Sequence, residues 1–287
     1  MKKLFKSFIF ILLIFTLSGC MKEDNMEDIT IYTSIYPVEY VTERLYSNYA
    51  TILSMYPNDT NPYEYKLTNR QIKNFAQGNL IIYNGLGKEK DYIVEMINDH
   101  KNLKIIDSTA RIEYTNSMDE IWINPSNILK ISQNIRDGLK EYVTSSYIKK
   151  DIDDNYEKLK LEISTIDADM KEMVENTDNK HIIISDDDFM FLEKYGFEII
   201  SIDPDTSSDK DLSDAKKLIS NKDVSYIFAK KGNTKTSQIQ TIKESYPNIE
   251  ILEIDTINTI SNTDKADNKD YITIMNDNIE KLKKELY

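Results

Sequence analysis

Three consecutive aspartates, Asp186, Asp187 and Asp188, are the group in this 287-residue chain that most invites a catalytic interpretation. Neighbouring carboxylates can act as general acid and base, or can hold two metal ions for a hydrolysis. Either chemistry would need further groups, but the sequence shows no phosphate-binding glycine loop, no Ser/His/Asp grouping and no Cys/His pairing. Because only seven glycines are present, tight phosphate turns have few places to form. We therefore expect a protein that is not an enzyme.

The two histidines and one basic pair offer no second centre. His181 begins a predicted strand, and His100 lies in a polar loop. Because a zinc site needs clustered ligands, we expect both histidines to be surface or strand-edge residues. Lys230 and Lys231 stand directly before Gly232 and Asn233, and this pattern predicts a basic turn that is solvated.

The single cysteine, Cys20, closes the segment Leu-Ser-Gly-Cys. Two lysines stand at positions 2 and 3, and an apolar run covers residues 8–17. A basic start, an apolar middle and a small-residue end are typical of an export signal. The apolar run is shorter than the roughly 20 residues that a membrane-spanning helix needs.

This pattern resembles the lipobox of bacterial lipoproteins, in which the cysteine is acylated and becomes the first residue of the mature protein. The resemblance implies a signal peptide over 1–20, lipidation of Cys20 and a flexible polar tether over 21–28. We therefore expect the protein at the extracytoplasmic face of the bacterial cell membrane, anchored by lipid.

The composition indicates a globular, acidic protein. Hydrophobic residues make up 40% of the chain and charged residues 30%, which is enough for a packed core. The net charge of -13 argues against nucleic acid as a partner, because phosphate binding depends on clustered Lys and Arg. Since no cysteine remains after Cys20, no disulfide can form in the body and its stability must come from packing.

Strand-like and helix-like segments alternate in both halves of the chain. Such alternation predicts parallel sheets with helices on both faces. The predicted strands cover 29–36, 50–55, 80–83, 103–107, 181–185, 199–202, 225–229 and 251–254. The predicted helices of these two halves cover 37–47, 68–77, 188–194, 211–220, 236–245 and 271–286.

Between the halves the pattern is helical only. One helix is predicted to start at Pro125 and Ser126, and a second, highly charged helix over 151–175 contains no Gly or Pro. A helix of that kind can serve as a rigid strut. We therefore predict an α/β fold of two α/β lobes with parallel sheets, over 29–125 and 179–287, joined through a helical segment over 126–178 that contains a long rigid bridging helix. A ligand is expected in the cleft between the lobes.

From about Ile29 to its end, the chain resembles the zinc/manganese substrate-binding lipoproteins of ABC transporters. The resemblance implies a monomer that hands a divalent metal ion to an ABC permease and its ATPase. It also implies limited hinge motion between the lobes. The matching segments, in order, are 34–40, 61–68, 76–87, 120–125, 184–189, 195–196, 226–229 and 278–284.

The resemblance also implies a metal site, at which this sequence departs from the family. Family members hold the ion with three histidines and one carboxylate. The histidine positions correspond here to Tyr63 in Pro-Tyr-Glu-Tyr, to Glu120 two residues before Trp122, and to Asp186 after a strand. The final carboxylate corresponds to Asp255. The predicted ligands are therefore Tyr63, Glu120, Asp186 and Asp255.

These four side chains would form an all-oxygen pocket. Imidazole favours zinc, whereas oxygen ligands suit manganese and calcium, so the expected cargo is manganese, zinc or calcium. An alternative is a degenerate family member in which the same carboxylates hold a cationic organic group. A surface adhesion or interaction role is a further alternative, as is an acidic loop without any ligand.

Overall fold

A computed structural model describes residues 26–287. The predicted signal peptide over 1–20, the lipidation site Cys20 and most of the tether over 21–28 lie outside the described residues. In this part of the chain no helix is both long and apolar enough to cross a membrane.

The first lobe is built on a four-stranded parallel sheet with the strand order β2-β1-β3-β4. Its strands are β1 (Ile29–Thr33), β2 (Ala50–Ser54), β3 (Leu80–Tyr83) and β4 (Lys104–Asp107). Its helices are α1 (Tyr36–Tyr46), α2 (Asn69–Phe75) and α3 (Glu89–Asp99). β3 is buried along its whole length, as its unbroken Leu-Ile-Ile-Tyr sequence predicts for a central parallel strand.

Three helices connect the lobes: α4 (Glu120–Ile123), α5 (Pro125–Tyr142) and α6 (Ser146–Glu175). Asn124 caps α5, and Pro125 occupies its first turn, where a missing N–H costs nothing. The bridging helix α6 has 30 residues, or about 45 Å. It begins five residues earlier than predicted because the Ser145 side chain accepts a hydrogen bond from the Ile148 N–H and caps it.

The second lobe repeats the pattern with the strand order β6-β5-β7-β8, again entirely parallel. Its strands are β5 (His181–Ile184), β6 (Glu198–Ser201), β7 (Tyr226–Lys230) and β8 (Glu250–Ile254). Its helices are α7 (Asp209–Asn221), α8 (Ser237–Ser245), α9 (Asn262–Ala266) and α10 (Tyr271–Leu286).

The predicted fold class is confirmed: two parallel α/β sheets are joined by a long helix. Besides the earlier start of α6, further local details differ from the predictions. The segment predicted as a helix over 188–194 is a 3-10 helix, Asp187–Tyr195, which ends at Gly196 in the left-handed conformation that favours glycine. The helix α3 was not predicted, since only Ile93 and Met96 among its apolar residues are buried and its apolar stripe is short.

The packing of the core joins the lobes into one body. One hydrophobic cluster runs from the first sheet through α5 and α6 into the second lobe. Trp122 of α4 belongs to this cluster and is fully buried. The C-terminal helix α10 is fastened to the second sheet by Glu285, whose carboxylate accepts hydrogen bonds from the backbone N–H groups of Ser225 and Tyr226. Burial raises the pKa of Glu285 to about 7.

Candidate cation site between the lobes

The second sheet directs the carboxyl ends of two neighbouring strands, β5 and β7, into the cleft. β7 ends at Lys230, and the chain after β5 continues through Ser185 into Asp186 and Asp188. Asp119 lies at the end of the first lobe, immediately before α4. Asp119 and Asp188 come from opposite sides of the cleft, and their carboxylates meet at the Lys230 ammonium group.

Lys230 forms ion pairs with a carboxylate from each side. Its Nζ donates to Asp119 Oδ2 at 2.6 Å and to Asp188 Oδ2 at 2.8 Å. The side chain of Lys230 is 27% exposed, whereas those of Asp119 and Asp188 are 1% and 7% exposed. A buried carboxylate needs a positive or hydrogen-bonding partner, and here a single lysine supplies one to both.

Asp119 is the most highly bonded of these residues. The Tyr63 hydroxyl donates to its Oδ1, and Asn258 Nδ2 donates to its Oδ2 at 3.0 Å. Together with Lys230, three donors from three different segments therefore converge on one buried carboxylate. The backbone of Tyr63 is also hydrogen-bonded, because Lys88 Nζ donates to the Tyr63 carbonyl oxygen at 2.8 Å.

The electrostatics show a balanced cluster. Burial disfavours the charge of Lys230, but attraction to Asp119 and Asp188 outweighs it and raises the Lys230 pKa. Burial, and then the charge of Asp119, raises the pKa of Asp188. Burial, and then the charge of Asp188, raises the pKa of Asp186 to about 6.

Tyr63 is a neutral hydrogen-bond donor in this cluster. Its residue as a whole is 39% exposed, but the hydroxyl end points inward to Asp119. Burial of the hydroxyl, and then the charge of Asp119, raises the Tyr63 pKa far above its ordinary value. The phenol is therefore protonated at neutral pH.

Two of the four predicted ligands belong to the cluster around Lys230 without contacting its ammonium group. Tyr63 reaches the cluster through Asp119, and Asp186 lies beside Lys230 and Asp188, with Asn233 Nδ2 at 3.3 Å from its Oδ2. The predicted assignment of all four residues as metal ligands stays a prediction.

The other two predicted ligands have neighbours outside the cluster. Glu120 is an electrostatic neighbour of Lys194, after Asp167, and its Oε2 is buried without a hydrogen-bond partner. Asp255 pairs with Lys231 at 2.8 Å. Within residues 26–287, no three His, Cys, Asp or Glu side chains are arranged so that they could hold a metal ion.

The prediction that Lys230 belongs to a solvated turn is wrong. Lys230 is the last residue of β7, and its side chain enters the cleft rather than the solvent. The signal was present in the sequence, because a residue that follows the buried run Tyr-Ile-Phe-Ala must lie at the carboxyl end of a strand. Asp119 was missed because Glu120 was assigned to the site, although adjacent residues at a helix start point about 100° apart.

The histidines lie in other contacts. His181 Nδ1 is 3.2 Å from a carboxylate oxygen of Glu198 on the neighbouring strand. His100 Nδ1 is 2.7 Å from the carbonyl oxygen of Ala76.

A cavity of about 300 Å³ opens beside the cluster. Both lobes contribute to its wall, so that Lys230 is reached from solvent through the cleft. The lining residues are Asp59, Asn61, Lys230, Lys231, Asp255, Thr256, Asn258, Thr259 and Ser261.

Two parallel-sheet lobes, a long bridging helix and a charged cleft between the lobes define a two-lobed substrate-binding protein. The sequence profile of the family described as zinc-uptake complex component A, periplasmic (ZnuA), matches residues 31–285, and the chain belongs to this family. The family consists of extracytoplasmic substrate-binding proteins rather than enzymes. A search of the curated proteins found no match.

Solved structures share the fold at low sequence identity. The Zn(II)-bound ZnuA-like domain of AdcA from Streptococcus pneumoniae is 17% identical with a TM-score of 0.72, over 90% of this chain and 99% of that one. The metal-dependent lipoprotein YcdH from Bacillus subtilis is 17% identical with a TM-score of 0.75, over 90% of this chain and 99% of that one. The third structure is a Mn-bound mutant of a periplasmic metal-binding protein from candidatus liberibacter asiaticus. It is 18% identical with a TM-score of 0.71, over 91% of this chain and 100% of that one.

Proposed function

We propose that the protein is the lipid-anchored, extracytoplasmic substrate-binding component of an ABC transporter that takes up a divalent metal ion. The cargo is zinc or manganese, the two ions named for the solved structures described above. The ion binds in the cleft between the lobes, and the loaded protein delivers it to a membrane permease driven by an ATPase.

The observation that carries this proposal is the convergence of carboxylates from both sides of the cleft on one cation. Asp119 and Asp188 both contact the same ammonium nitrogen. A position that stabilises one positive charge between two buried carboxylates suits a divalent ion electrostatically, since the ion would neutralise both. Their oxygens are of the hard type that manganese accepts.

A bound ion would draw the carboxylates closer. The ammonium-to-oxygen distances of 2.6 and 2.8 Å exceed the roughly 2.0–2.2 Å of a zinc–oxygen bond, so each carboxylate would move inward by about half an ångström. An ion would replace the ammonium between Asp119 and Asp188. Because no three such side chains of residues 26–287 are arranged to hold a metal ion, Asp186 would have to move toward it to complete the coordination, with Tyr63 beside them. The set predicted from the sequence shares Asp186 and Tyr63 with this group.

Calorimetric titration of the purified mature protein, freed of metal by a chelator, tests the cargo. We expect one zinc or manganese ion per chain, and calcium to bind more weakly. Absence of zinc and manganese binding below about millimolar, a range that weak protein sites can still reach, would exclude metal uptake.

Two isosteric variants separate the two ligand sets. Asp188→Asn is expected to weaken binding at least tenfold, because Asp188 contacts the cation position directly. Asp255→Asn is expected to change the affinity less than threefold, because Asp255 pairs with Lys231 instead. The reverse ranking would favour the set predicted from the sequence.

The anchor has its own test. Cys20→Ser removes the thiol that would carry the lipid, so that the protein should lose palmitate labelling and fail to mature by cleavage before residue 20. Metabolic labelling of cells followed by membrane fractionation measures both effects. Labelling of the Cys20→Ser protein at the level of the unaltered protein would contradict the anchor.

A further inference from the structure

We propose that Lys230 is a tethered cation that competes with the cargo ion for its position in the cleft and thereby lowers the affinity of the protein for that ion. The inference rests on the proposed function, because it requires a metal ion to bind in the cleft. The place of the competition follows from the position of the ammonium group between Asp119 and Asp188.

The Lys230 side chain fills the place that a bound ion would take. Its ammonium nitrogen lies within 2.8 Å of carboxylates from both sides of the cleft. An ion at the same place would lie closer still to both oxygens, and therefore could not share the position with the ammonium. Binding of an ion at Asp119 and Asp188 thus requires Lys230 to leave.

The neighbouring lysines do not duplicate this role. Lys231 pairs with Asp255 and Asp264, and Lys88 donates to the Tyr63 carbonyl. Lys230 also has a place to go, because it lines the cavity of about 300 Å³ that opens from the cleft. A change confined to Lys230 is therefore expected to alter the cation site and leave its surroundings in place.

The ion pairs of Lys230 also join the lobes when no ion is bound. Asp119 precedes the connecting helices, whereas Lys230 and Asp188 belong to the second lobe. The lysine therefore contributes to a closed cleft by the same contacts that a cargo ion would make. An ion competes with an intramolecular group whose effective concentration is fixed by the fold.

Manganese and zinc titrations of Lys230→Met test the competition. The methionine retains much of the length of the lysine side chain and removes its charge. We expect at least tenfold tighter binding than in the unaltered protein, because Asp119 and Asp188 lose their resident cation. Lys235→Met is the matched control, since Lys235 is exposed on the loop that follows β7 and its substitution should change the affinity less than twofold.

Lys230→Gln is a second variant for the case that Lys230→Met fails to fold, because the glutamine amide can still donate a hydrogen bond to Asp119. It too should bind the ion at least fivefold more tightly. Affinities of both variants within threefold of the unaltered protein, including the case in which no protein binds, would overturn the proposal. Tight binding by the variants but none by the unaltered protein would support the competition and refute metal uptake.

A labelling experiment on the unaltered protein gives a readout that needs no variant. Reductive methylation, mapped by peptide mass spectrometry, reports how accessible each lysine amine is. Saturating manganese should increase the labelling of Lys230 at least threefold and leave that of Lys235 unchanged. Ion binding without any increase at Lys230 would overturn the proposal.

Discussion

Asp119→Ala should lower the free energy of unfolding by about 3 kcal/mol. The substitution leaves three donors without their shared acceptor: Lys230, the Tyr63 hydroxyl and the Asn258 amide. Breaking a buried ion pair from one side costs roughly 3–5 kcal/mol, and the lower end applies because Lys230 keeps Asp188. Urea unfolding followed by far-UV circular dichroism measures the loss.

The adjacent residue provides the control. Glu120→Ala removes a carboxylate of the same helix start whose Oε2 has no hydrogen-bond partner. Its removal breaks no bond to Lys230, so that the free energy of unfolding should change by less than about 1 kcal/mol. A larger loss for Glu120→Ala than for Asp119→Ala would show that the cation site is organised around the residue predicted from the sequence.

Much of the fold follows from the sequence because its signals are local. Short β-branched runs alternate with helical segments in both halves, and this alternation alone predicts parallel sheets. Helix starts such as Thr68 before α2 carry side chains that cap the first turn. The 3-10 helix Asp187–Tyr195 was harder to predict, since its residues do not differ in type from those of an α-helix.

The site is less predictable because it depends on contacts between distant residues. Lys230 and Asp119 are 111 positions apart, and each looks like an ordinary charged residue in its own segment. Tyr63 and Asp186 were identified because a resemblance supplied their positions. The lysine has no counterpart in that pattern of three histidines and a carboxylate, and only the assembled lobes show where its charge lies.

Trp122→Ala should have an effect as large as that of Asp119→Ala or larger, about 3–5 kcal/mol of unfolding free energy. Trp122 is the only tryptophan of the chain and the largest fully buried side chain of residues 26–287. It shares the single-turn helix α4 with two other buried residues. The Tyr271 hydroxyl of the C-terminal helix also donates to its carbonyl oxygen. The indole therefore anchors the turn that carries Asp119.

Trp122→Phe separates the volume of the indole from its polar atom. The indole Nε1 is buried without a hydrogen-bond partner, so its removal sacrifices no bond. We expect a loss below about 2 kcal/mol, since an aromatic ring still fills much of the space. If Trp122→Phe lost as much unfolding free energy as Trp122→Ala, the volume of the aromatic ring would not be what Trp122 contributes to stability.

The double variant Asp119→Ala/Trp122→Ala tests whether the core anchor and the ion pair are one unit. If α4 positions Asp119, the second substitution has less left to disturb, and the combined loss should fall short of the sum by at least about 1 kcal/mol. Independent sites would add to within about 0.5 kcal/mol. Additivity would therefore show that Asp119 is held by its three donors alone, without help from the tryptophan beneath it.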